Sequence, residues 1–271
     1  MRLRVLALVG AGAVAWAGMI TPAYAADGAK LSVLHAVPDL TVDVYVDGKL
    51  TLDNFTPGKL AGPLDLEAGT YEVAITASDA EDDSDPAIGP VELTLEDGGN
   101  YTAVAHLEEG GDPTATLFTN DTSRTDAGQG RLTVRHTAAA PAVDILAGGN
   151  AVISSLSNPD EKVLDLDAGT IEAAVAAAGT TDPVIGPADV TVSEGKNTIV
   201  YAWGSLDDDN LALAVQTIDG LHSSPGGVGA GEAGLAADSS RPGLVAMVAA
   251  FVLGALALAR FKRPGRVRSD R

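Results

Sequence analysis

The chain has 271 residues, 17 basic and 37 acidic, with a net charge of −20 at pH 7. Two basic residues lie in the first 25 positions and six in the last 12, so residues 26–259 hold 9 basic against 36 acidic residues, net −27, a field that repels phosphate backbones and excludes nucleic acid as a partner. Cysteine is absent, which excludes disulfides, thiolate catalysis and Cys-ligated metal centres.

Residues 1–25 read as a secretory signal peptide. Arg2 and Arg4 give a positive start, Val5 to Ile20 is apolar, and Ala23-Tyr24-Ala25 is a small-x-small cleavage site. Cleavage between Ala25 and Ala26 is expected; an uncleaved anchor is the alternative. The periodicity that follows is that of strands. Val42, Val44 and Val46 alternate with Asp43, Tyr45 and Asp47, and Asp47-Gly48 makes a hairpin turn. Val73 and Ile75 alternate with Glu72, Ala74 and Thr76, and Val91, Leu93 and Leu95 with Glu92, Thr94 and Glu96. Tyr101–Leu107 and Pro113–Thr119 complete seven or eight short strands.

The next segment repeats the first. Leu31-Ser32-Val33-Leu34-His35 recurs as Leu132-Thr133-Val134-Arg135-His136, and Leu64-Asp65-Leu66-Glu67-Ala68-Gly69-Thr70 as Leu164-Asp165-Leu166-Asp167-Ala168-Gly169-Thr170. Ile88-Gly89-Pro90 recurs as Ile185-Gly186-Pro187. Ala-rich Ile171–Ala178 has helical propensity, but its counterpart Tyr71–Ser78 has a strand pattern, so a strand is predicted. The expected fold is all-β: two tandem antiparallel β-sandwich (Ig-like) domains over 30–120 and 130–218, each folding alone with one wet face per sheet.

Residues 220–242 have the Gly/Ser composition of a flexible stalk. Leu244 to Ala259 is uncharged and apolar; at about 1.5 Å per residue it spans about 24 Å, and Gly243 and a snorkelling Arg260 extend it toward a bilayer core of roughly 30 Å. A transmembrane helix over 243–260 and a basic cytoplasmic tail over 261–271 are expected. A sortase-type tail has the same layout, but no Leu-Pro-x-Thr-Gly precedes the apolar run. The expected location is the plasma membrane, single-pass, with the N-terminal ectodomain outside.

Val33-Leu34-His35-Ala36-Val37-Pro38-Asp39, followed by Val42-Asp43-Val44-Tyr45-Val46-Asp47-Gly48, resembles the opening of a bacterial family catalogued as domain of unknown function 4397. Ala68–Val73 resembles it too. The second repeat departs from it at Ala138-Ala139-Ala140-Pro141 and Ile145-Leu146. The resemblance implies an exported, sandwich-like, often repeated module, and no known activity.

His35 with Asp43, and His136 with Asp144, recur at equal spacing. Such a couple can be half of a catalytic triad or part of a metal site, but no nucleophile-elbow sequence accompanies it. A structural tie is the simpler reading. In a hairpin turning near Asp39 the two side chains would face each other, and the carboxylate would raise the imidazole pKa. Glu81-Asp82-Asp83-Ser84-Asp85 and Asp207-Asp208-Asp209-Asn210 are acidic loops, read as solvated turns, with weak calcium binding as the alternative. No catalytic, metal or cofactor-binding residue is assigned and no cofactor is expected. The expected function is a non-enzymatic surface module for binding, adhesion or envelope architecture, with an extracellular protein or glycan as ligand. The alternative is an envelope hydrolase or carbohydrate-active enzyme using paired carboxylates.

Overall fold

The computed structural model describes residues 28–222, and all regular structure within them is strand. The expected signal peptide, the stalk beyond His222, the membrane helix and the basic tail lie outside the described residues. Among the described residues no helix is long and apolar enough to cross a membrane.

The first half has eight strands: β1 (Ala29–His35), β2 (Val42–Val46), β3 (Lys49–Phe55), β4 (Leu60–Leu66), β5 (Gly69–Ala77), β6 (Ile88–Leu95), β7 (Asn100–Leu107) and β8 (Pro113–Thr119). The second half repeats them as β9 (Gln129–Ala139), β10 (Val143–Ala147), β11 (Asn150–Leu156), β12 (Glu161–Asp167), β13 (Gly169–Ala177), β14 (Pro183–Val192), β15 (Lys196–Ser205) and β16 (Ala212–Asp219). Sheets β4-β1-β7-β8 and β3-β2-β5-β6 form the first sandwich, and β12-β9-β15-β16 and β11-β10-β13-β14 form the second. Adding eight to every strand number of one half reproduces the other, so the sequence repeat is a repeat of topology. Ala-rich β13 is a strand because β10 and β14 pair with it on both sides; tertiary pairing overrides its helical propensity.

Three expectations need correction. The sandwiches are not purely antiparallel: β1 runs parallel to β7, and β9 parallel to β15. Alternating apolar residues report which face is buried, and the direction of the neighbouring strand leaves no mark on them. The strand order also differs from the immunoglobulin arrangement, in which strands 1, 2, 5 and 4 share a sheet; here β1 pairs with β4 and β7, and β2 with β3 and β5. Finally, not every sheet has a wet face. Strands β1, β7, β9 and β15 are buried almost throughout.

The reason for that burial is a third core. Leu31, Val33, Ala103 and Ala105 point into the first sandwich beside Val44, Val73 and Ile75. Leu132, Val134 and Val200 do the same in the second beside Ile145, Val175 and Val190. On the reverse faces, Leu34, Val104 and Phe118 of the first sandwich pack against Ile199 and Tyr201 of the second. The two inner sheets therefore lie back to back, and residues 28–222 stack four sheets deep within one compact unit. Gly58 allows the close approach at one margin: a Cβ there would sit 3.1 Å from the Trp203 ring, at a φ of +75° that disfavours any side chain.

Candidate functional site

The two His–Asp couples do not form. Strand β1 enters one sheet and β2 the other, so residues 36–41 are a crossover between layers instead of a hairpin, and each side chain finds a different partner. His35 Nε2 lies 2.6 Å from the Leu40 carbonyl, five residues on, and His136 Nε2 lies 3.1 Å from that of Pro141, again five residues on. Asp43 accepts from the Asn54 N–H at 2.7 Å, and Asp144 from the Ser155 N–H at 2.8 Å, each eleven residues on. Asn54 and Ser155 have φ of 53° and 54°, left-handed positions within strands whose pairing with β2 and β10 is bulged. The equal spacing in the two copies thus records two local devices. An imidazole holds the crossover and a carboxylate holds the bulge of the following strand.

The direction of the histidine pKa also differs from expectation. Burial pushes both imidazoles below their ordinary value, with the Leu40 carbonyl opposing the shift at His35 and chiefly the Pro141 carbonyl opposing it at His136. His106 on β7 behaves alike: burial lowers it, and it bonds to the Leu107 carbonyl and the Thr116 hydroxyl at 2.9 Å each. Asp144 also accepts the Gly179 N–H at 2.9 Å, and the N–H groups of Ser155 and Gly179 hold its carboxyl below the usual range. Asp144→Ala should therefore lower the melting temperature at pH 7 by more than Asp43→Ala, since two donors lose their acceptor instead of one. The difference should narrow in strong acid, where protonation removes the charge that the two N–H groups of Ser155 and Gly179 stabilise. Equal melts of the two variants at pH 7 would contradict this.

The polar groups that sequence reasoning passed over lie between the sandwiches. Arg135 is 1% exposed. Its guanidinium carbon lies 4.3 Å from the Phe118 ring centroid and 5.4 Å from that of Tyr201, its Nη1 donates to the Tyr201 hydroxyl at 2.8 Å, and its Nε donates to Glu161 at 2.7 Å. The Tyr201 and Thr102 hydroxyls both donate to Gln216 Oε1, at 2.6 and 3.0 Å. Arg131, 4% exposed, makes a two-point contact with Asp165 at 2.8 and 3.0 Å, and reaches Asp121 at 2.8 Å and the Ser123 carbonyl and hydroxyl at 3.1 Å. It thereby ties the connecting segment to the second sandwich. A signal was present: the repeat places Arg131 and Arg135 where the first copy has Lys30 and Leu34. At the second of these an outward aliphatic residue has become an arginine, which marks a face that meets something.

At one end of the same seam a cleft of about 540 Å³ opens, walled by Lys30, Ser32 and Asn100 on the first sandwich and by Gln216 to Asp219 on the second. The acidic loops lie elsewhere. Asp82 accepts the Ser84 N–H at 3.0 Å, and Asn210 accepts the Ser205 N–H at 2.7 Å. Among the described residues no group of three or more His, Asp or Glu side chains is placed to hold a metal ion.

Residues 29–146 match the family model of the Domain of unknown function (DUF4397). The match spans the first sandwich and ends within β10 of the second. Comparison with curated proteins gives no match.

Proposed function

We propose that this chain, which carries the domain of unknown function 4397 over residues 29–146, is a non-enzymatic exported surface protein, held in the plasma membrane by residues 243–260 with its β-sandwiches outside. The second sandwich is read as a further copy of the same domain, since its sheets repeat the first strand for strand. The observation that carries the binding role is where the polar side chains go. His35, Asp43, His136 and Asp144 bond to the backbone of their own crossovers and bulges, Arg135 packs on the Phe118 ring of the other half, and Arg131 holds the connecting segment. These groups build a rigid double module that presents a surface. The apolar start ending at Ala25 and the apolar-then-basic end supply the address. An unidentified extracellular protein or glycan is the ligand of this reading.

Reporter fusions after Asp219 and after Arg271 test the topology. The first should report from outside the membrane and the second from the cytoplasm. A cytoplasmic signal at Asp219 would remove the proposal.

A further inference from the structure

We propose that the cleft at the end of the seam is a docking groove for an extended, aspartate-bearing peptide segment of a partner protein, with Lys30 receiving its carboxylate and Asn100 and Gln216 receiving main-chain carbonyls. It names the chemistry of the partner in the surface-binding role above and rests on that role.

The chain itself shows how such a groove is filled. In the second sandwich the corresponding place holds residues 121–123. Arg131 receives the Asp121 carboxylate at 2.8 Å, and Asn197 donates from Nδ2 to the Asp121 carbonyl at 3.3 Å. The register makes Lys30 the counterpart of Arg131 and Asn100 the counterpart of Asn197: β1 sets Lys30 opposite Asn100, and β9 sets Arg131 opposite Asn197. The acidic neighbour is repeated as well, Lys30 to Asp65 at 2.6 Å and Arg131 to Asp165 at 2.8 Å. The first copy thus keeps the basic group, the amide and the flanking carboxylate. Among the described residues the peptide does not recur: beyond β16, Leu221 bonds to Gly195 and Thr125.

The open groove is rich in donors. Asn100 Oδ1 accepts from Asn120 Nδ2 at 2.8 Å, which leaves the Asn100 amide N–H groups free to donate. Gln216, 6% exposed, has its Oε1 taken by the Thr102 and Tyr201 hydroxyls, so its own N–H groups turn to the cleft it lines. A nearly buried amide whose acceptor is already engaged and whose donors face open space calls for an acceptor ligand. Asp219 on the opposite wall is neutralised by Lys196 at 2.7 Å. Lys30 therefore meets the incoming carboxylate without a further unpaired acid from that wall.

The test is calorimetric titration of the full chain with an acetylated Thr-Asn-Asp-Thr-Ser-Arg-Thr peptide, the sequence of residues 119–125. Saturable binding is expected. Lys30→Glu, at an exposed position that does not threaten folding, should weaken it at least about tenfold, the scale of one charge-assisted contact, and replacing the peptide's aspartate by alanine should do the same. Lys49→Glu makes the same charge change at the β2–β3 turn and should shift the affinity less than about twofold. No saturation at millimolar peptide would overturn the proposal. So would equal weakening by both lysine variants, which would mark a bulk charge effect, or displacement by free acetate, which would mark a small-carboxylate site. Peptide binding is read without reference to membrane topology, so a failed groove and a failed surface location give different results.

Discussion

Arg135→Ala is expected to destabilise residues 28–222 by about 3 kcal/mol, within the range for removing one member of a buried ionic contact. Three losses combine. The cation leaves the faces of Phe118 and Tyr201, Glu161 loses its partner, and the removed side chain leaves a void between two sheets that are each held by their own core. For a unit of this size the melting temperature should fall by about 6–12 °C. Arg135→Met should recover a large part of that. Its aliphatic body refills the space, Tyr201 keeps Gln216 as acceptor, and the Glu161 side chain, 33% exposed, can turn to water. Differential scanning calorimetry of the two variants decides it. If alanine and methionine cost the same, the contribution is ionic and not one of packing; if neither costs anything, the seam does not hold the halves together. The same seam bears on the expectation that residues 30–120 and 130–218 each fold alone. Separation would expose Leu34, Val104 and Phe118 on one fragment and Ile199 and Tyr201 on the other, so each fragment should melt below the joined pair.

Mild acid should destabilise the protein through its buried imidazoles. His35, His106 and His136 are at most 1% exposed, and burial lowers the pKa of all three. At His136 the backbone fixes which nitrogen carries the proton: Nε2 faces the Pro141 carbonyl and Nδ1 faces the Ala138 N–H. A second proton at Nδ1 would meet a donor. At His35 the buried Nδ1 has no partner among the described residues, so a proton there would be stranded. Below about pH 6.5 the unfolded chain takes protons that the folded chain refuses. Stability is therefore complete above the unfolded value and is lost as pH falls toward the depressed folded values. Three imidazoles that all stay neutral in the fold approach a limiting slope of about 4 kcal/mol per pH unit roughly one unit below the unfolded value. Melting temperatures should be level from pH 8 to 7 and fall steeply from about pH 6.5 to 5. His136→Gln should reduce the steepness. A flat profile down to pH 5 would show that the imidazoles charge freely inside the fold.

The strands of the outer sheets were legible because their inward side chains are aliphatic at every second position. Val42 and Val44 on β2 and Val73 and Ile75 on β5 fall inward at every second residue, and the pattern needs no knowledge of the rest of the molecule. The repeat was legible for the same reason and carried Ala-rich β13 with it. The inner sheets were misread because their second face is dry while still carrying polar residues. Ser32, Thr102, Arg131, Thr133 and Arg135 are all buried, yet residues of these types usually face water. Of the four residues singled out beforehand, each has a structural bond, but none to the partner that spacing suggested. Distance along the chain says nothing about whether a turn is a hairpin or a crossover between sheets.

Periodicity and the internal repeat by themselves determined that this chain is all-β and that it holds two like halves of seven or eight strands each, because those properties depend on residue type and on the two-residue repeat of a strand. Only the tertiary structure decided that β1 lies parallel to β7, that His35 and Asp43 serve different sheets, and that the halves join back to back around Arg135, Phe118 and Tyr201. The physical reason is that these features depend on which faces meet. Arg135 stands where the first copy has Leu34, and it meets Phe118 of the other half only because the two inner sheets come together.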